Sequence, residues 1–120
     1  MADRNSELRE PLVSRKEDLV AQDGRRVTTL GRYCSIAAPR KGPALARAPK
    51  DRAVIVLDDG TEVFLEPIDS QKALRSAEER HQFEAKRVRV TGTAHRIMPS
   101  RGQSLIAPCI AEVMLIVEDE

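Results

Sequence analysis

The sequence predicts an all-β domain that carries one helix. Three observations predict it: apolar, β-branched segments recur between turn residues, one helix-like segment interrupts them, and the core must be aliphatic. The chain has 120 residues, room for one domain, and 41% of them are hydrophobic, enough to fold around a core. Aromatics make up only 2%, namely Tyr33, Phe64 and Phe83, so Val, Ile, Leu and Ala must fill the interior.

Residues 1–22 read as a polar N-terminal tail or short helix, and residues 23–120 as the folded domain. Ser14-Arg15-Lys16-Glu17 has the form of a capping box, which allows a helix over 15–21. Asp23-Gly24 reads as a turn. Residues 25–38 are rich in β-branched side chains, and Gly31 near their middle predicts a bulge or sharp bend in the first strand. Residues 39–52 carry three prolines and five bases and read as a long exposed loop. Residues 53–57 form an apolar second strand, and Asp59-Gly60 is a hairpin signal.

The third strand, 61–66, puts Glu62, Phe64 and Glu66 on one face and Val63 and Leu65 on the other. Residues 69–85 lack strand character, and Ser76-Ala77-Glu78-Glu79 offers a second capping box for a helix of about three turns. Residues 86–94 alternate, with Val88 and Val90 inward and Arg87 and Arg89 outward. Residues 97–103 read as a turn or loop. The last apolar run, 104–117, is broken by Pro108, which implies an edge position or a bend, and 118–120 is a solvated acidic tail.

This order resembles the OB-fold superfamily, a five-stranded Greek-key barrel with its helix between strands 3 and 4. The resemblance rests on Gly31, on the Asp58-Asp59-Gly60-Thr61 hairpin and on Lys86-Arg87-Val88-Arg89-Val90-Thr91-Gly92. That last stretch looks like the fourth strand of many bacterial OB domains. The likeness spans roughly residues 25–117, and the order of elements carries it more than any motif.

Catalytic constellations are scarce. His81 sits beside Glu78, Glu79 and Arg80 as a solvated helix histidine, and His95 follows strand 4 as a rim residue. Cys34 and Cys109 read as buried thiols, although a Cys–His pair with His95 is conceivable across a barrel. The pair Asp58-Asp59 suits a turn, and Glu78-Glu79 suits the first turn of a helix. No glycine-rich phosphate loop and no zinc framework is present. The expectation is a non-enzymatic protein with no cofactor and no metal. The opening segment lacks the apolar run of a signal peptide, and no window reaches the ~20 apolar residues of a membrane span. A cytoplasmic protein with no membrane partner is expected.

Charge is segregated rather than absent. The net charge is +1, yet residues 24–52 hold eight bases and one acid, and residues 85–111 hold five bases and no acid. Acids dominate elsewhere: residues 53–84 hold eight against three bases, and residues 112–120 hold four and no base. On an OB fold, the loops joining strands 1–2 and 4–5 flank the ligand face. The resemblance therefore implies a polyanion or single-stranded nucleic-acid site built from Arg40, Lys41, Arg47, Lys50 and Arg52 in the first loop. Arg96 and Arg101 in the second loop would complete it, with Arg32 on strand 1. Tyr33 and Phe64 are the two residues able to stack a base or touch a partner. The alternative is a protein–protein adaptor or inhibitor that uses a sheet face or edge, Phe64 and the segregated charge.

Overall fold

The computed structural model describes residues 10–37, 50–67, 70–98 and 107–119. Among the described residues, alternation of small apolar and polar side chains produces six strands. They are β1 (Leu12–Val13), β2 (Arg26–Ile36), β3 (Arg52–Val56), β4 (Glu62–Leu65), β5 (Arg87–His95) and β6 (Cys109–Glu118). Helix α1 (Lys16–Ala21) follows β1, and a 3₁₀ turn (Gln71–Ala73) and helix α2 (Ala77–Phe83) lie between β4 and β5. The chain is thus all-β with helices, a single mixed sheet of six strands, as its patterning predicts at that level.

Pairing runs β2–β3–β4–β6–β5 and returns from β5 to β2, so five strands form a closed circuit. All of these contacts are antiparallel except β4 with β6, which is parallel. Strand β2 closes the circuit because its first part, Arg26–Arg32, pairs with β5 while its last part, Arg32–Ile36, pairs with β3. Gly31 sits at the changeover. A Cβ built there would lie 2.5 Å from the Val56 carbonyl oxygen and 2.6 Å from Ile55 Cγ2, so only glycine lets the strand bend this tightly over β3. Gly92 on β5 does the same against β6, where a Cβ would meet Ile110 Cγ2 at 2.5 Å.

The inward row is aliphatic. Val27, Ile55, Val63, Leu65, Val88 and Ile110 are buried around one core. Alternation in the sequence identifies these positions because side chains on a strand point to opposite faces in turn.

Within the segment read as a polar tail or short helix, the described residues 10–22 hold a two-residue strand and a short helix. Leu12 and Val13 pair in parallel with Thr28 and Thr29, on the edge of β2 that β3 leaves uncovered. Leu19 on α1 is fully buried in the common core, which contributes roughly 2 kcal/mol to docking. The expected Ser14–Glu17 capping box does not form; the N-cap position is Arg15 and makes no side-chain bond. Asp59, from the β3–β4 hairpin, instead accepts from the Lys16 amide at 2.9 Å and from the Thr61 amide at 3.0 Å. One turn carboxylate therefore shapes its own hairpin and caps a distant helix.

The second capping box forms by half. Ser76 accepts from the Glu79 amide at 3.0 Å, but the Glu79 carboxylate turns into the fold rather than back to Ser76. The helix it starts has seven residues rather than three turns, with the 3₁₀ turn taking up part of the expected length. The last strand begins after Pro108, whose carbonyl accepts from the Phe64 amide. No helix among the described residues is long and apolar enough to cross a membrane.

Gly31→Ala should therefore lower stability by about 3 kcal/mol, the upper part of the overpacking range, because backbone lies in the way. Gly24→Ala, at φ 83° with nothing within 4 Å, should cost only about 1 kcal/mol. Urea unfolding of both variants checks the order, and equal midpoints would contradict this account of the bend.

Candidate functional site

The strand register assembles one outward face on β2, β3 and β4. Directly opposed residues share a face, so rungs can be read across the strands. One rung is Arg32, Val56 and Glu62; the next is Cys34, Val54 and Phe64, continued by Cys109 on β6 and His95 on β5. Ile36 and Arg52 make the third. The face is apolar at its centre, where Val54 is buried and Phe64 half-buried, with arginines at two of its corners.

The two basic loops leave from opposite ends of this face. Residues 37 and 50 bound the first beside the Ile36–Arg52 rung, and residues 98 and 107 bound the second beyond the Arg32 rung. Four residues of strand separate these ends, roughly 13 Å. Arg40, Lys41, Arg47 and Arg101 lie outside the described residues.

The remaining basic candidates are described. Arg32 is exposed and makes no ion pair among the described residues. Arg52 is half-buried, its Nη1 donates to Asp51 at 2.7 Å, and its Nε is buried with no hydrogen-bond partner among the described residues. Lys50 is exposed, and its carbonyl accepts from Arg80 at 2.8 Å. Arg96 is exposed at the other end, its amide held by the Asp23 carboxylate at 2.9 Å. Arg25 and Arg26, also exposed, stand at the same end of β2 and likewise make no ion pair among the described residues. Arg87 and Arg89 do not add to a basic surface: Arg87 binds Asp58 and Asp119, and Arg89 binds Asp119 at 2.8 Å. The acidic tail is to that extent a clamp across β5, which its sequence does not signal.

Neither aromatic candidate stands free. Tyr33 points inward and is fully buried, so it is not available to stack a base. Its hydroxyl donates to Glu79 Oε2 at 2.7 Å, and its ring lies 6.0 Å from that of Phe83. A tyrosine on an alternating strand has even odds of facing in, and the parity set by Val27 sends it there. Phe64 does face outward as its alternation predicts, but it packs against the cluster of Met98 and Cys109. Glu66 does not share an exposed acidic face with Glu62. It adopts φ 71°, is 4% exposed, and accepts from the amides of Glu112 at 3.0 Å and Val113 at 2.8 Å.

His81 is exposed on α2. His95 and Cys109 are opposed residues of β5 and β6, the pair that sequence left conceivable. Burial, with a smaller push from Glu66, raises the Cys109 thiol to about 12, so it stays protonated at neutral pH and is a poor nucleophile. Cys34 is half-buried rather than buried, and burial followed by Glu84 raises its thiol as well.

Beneath the face, α2 is fastened to the sheet by a polar junction. Arg75 binds both oxygens of Glu79 at 2.7 Å while Tyr33 donates to one of them. Burial pushes the Glu79 carboxyl up, but the hydrogen bonds from Arg75 and Tyr33 outweigh it and hold the carboxyl below its usual range. No protein family, curated protein or solved structure matches the chain.

A carboxyl whose value is lowered by folding stabilises the native state above its unfolded value, about 4.3. That contribution disappears as pH falls through the lower, folded value. Stability should drop on acidification below the ordinary glutamate range, and Glu79→Gln should flatten the drop. Urea midpoints across pH 2–6, as an approximate window, test this; an unchanged slope in the variant would refute it.

Proposed function

We propose that the chain is an OB-fold-like barrel acting as a non-enzymatic binding module, with single-stranded nucleic acid as its ligand. Two features support the barrel: the closed circuit of five strands, and the parallel β4–β6 contact among otherwise antiparallel ones. The helix between β4 and β5 stands where that architecture has one, and Phe83 on it enters the core.

The observation that carries the ligand reading is the outward face of β2–β4. Exposed Arg32 and half-buried Arg52, whose Nη1 is held by Asp51, lie at opposite rungs of it, between the two ends from which the basic loops depart. The strand spacing suits an extended backbone laid across the rungs, with phosphates at the arginines and one base against the Val54–Phe64 centre. With Tyr33 in the core, stacking is limited to the exposed part of Phe64. Phosphate contact then supplies most of the affinity, with little sequence preference.

Binding of a fluorescent oligo-dT to the full chain should weaken steeply with salt. Arg32→Ala combined with Arg52→Ala should lower the slope of log K against log salt by about 0.7 for each phosphate that is no longer neutralised. Fluorescence anisotropy measures both. No binding at low salt, or an unchanged slope in the double variant, would reject this ligand.

A further inference from the structure

A second surface stands apart from the β2–β4 face. Strand β4 ends at Leu65 and pairs with β6 only at Cys109 and Ile110. Beyond that point the buried Glu66 carboxylate takes the amides of Glu112 and Val113, doing for them what a longer β4 would do. Glu112 itself sits at φ 53°, and the register of β6 against β5 shifts there. Past this bulge, Leu115–Glu118 pair with β5 alone, and their other edge has no strand beside it among the described residues.

That open edge is strongly apolar. Met114 is 60% exposed, Leu115 55% and Val117 40%, an unusual density for a strand that faces water. It lies along a cleft of about 420 Å³ whose opposite wall is α2, with Glu78, Gln82 and Phe83 contributing. Glu78 on the helix and Glu112 on the strand stand exposed beside the edge with no ion pair among the described residues; Glu118, also exposed, is 3.5 Å from Lys86, and Arg89 across from Val117 is held by Asp119. Arg75, the base on this wall, is already committed to Glu79.

We propose that the β6 edge docks an extended peptide as an added strand, and that the peptide alternates apolar and basic residues. Main-chain pairing to Met114–Val117 would supply the affinity, and the acidic rim would select the basic side chains. A second copy of this chain fits less well. Antiparallel self-pairing centred on Leu115 sets Glu112 opposite the partner's Glu118, and like charges directly opposed on a sheet are unfavourable.

The test uses the full chain with 15N labelling and three capped synthetic probes: KVKVKVK, its backbone N-methylated form, and EVEVEVE. The expected result is that KVKVKVK shifts amide resonances of 113–118 and of α2 and leaves those of Arg32–Ile36 in place. N-methylation should weaken it at least tenfold, because a blocked amide cannot pair, and EVEVEVE should not bind. The double charge reversal Glu78→Lys with Glu118→Lys changes exposed side chains, giving up the exposed Lys86–Glu118 pair, and should invert the preference between the two charged probes. Absence of binding, equal binding of the N-methylated probe, or shifts confined to the β2–β4 face would overturn the proposal. Concentration-dependent dimerisation with protection of the 113–118 amides in the free chain would overturn it in favour of a second copy.

Discussion

The structure depends on one strand serving two neighbours. Strand β2 can pair with β5 along its first part and β3 along its last only if it bends sharply at the changeover, and Gly31 is where backbone meets backbone too closely for any side chain. Everything downstream follows from this closure. It sets the inward parity of Val27 and Tyr33, presents Arg32 to solvent, and leaves the Thr28–Thr29 edge for β1 to cover. Closing a sheet removes most of its edges, and the structure meets that need with glycine at two crossings rather than with long loops.

Carboxylates carry the joints between elements. Asp59 caps α1 from the hairpin, Glu66 ends β4 by holding the β6 bulge, Glu79 fastens α2 to Tyr33, and Asp119 gathers Arg87 and Arg89. Each uses a charged acceptor where a backbone donor or a guanidinium would otherwise lack a partner, and such bonds are among the stronger ones. Part of the charge of a chain with nearly equal numbers of acids and bases is thereby consumed in joints.

The candidate face shows how far local patterning reaches. Outward positions for Phe64, Arg87 and Arg89 were legible because a period of two needs only the strand itself. What those residues touch was not. Asp58 and Asp119 are far from Arg87 in sequence, and only the β3–β4 turn and the end of β6 bring them to it. Tyr33 misled for a related reason: an inward-facing hydroxyl becomes acceptable only because Glu79 arrives from another element to accept its hydrogen bond.

Local sequence alone set the periods, the turns and the bend. Aliphatic alternation made strands, Asp59-Gly60 made the hairpin, Ser76 started the helix, and Gly31 marked the strand that had to curve. These features are local, since they depend on a few neighbouring dihedrals and on which residues must leave water. Tertiary packing chose the closure of the circuit, the recruitment of β1, the neutralisation of Arg87 and Arg89, and the open edge of β6. Those outcomes are sums over interactions between distant segments. A carboxylate on a loop looks the same in sequence whether it faces water or completes a joint, and only the assembled strands choose between the two.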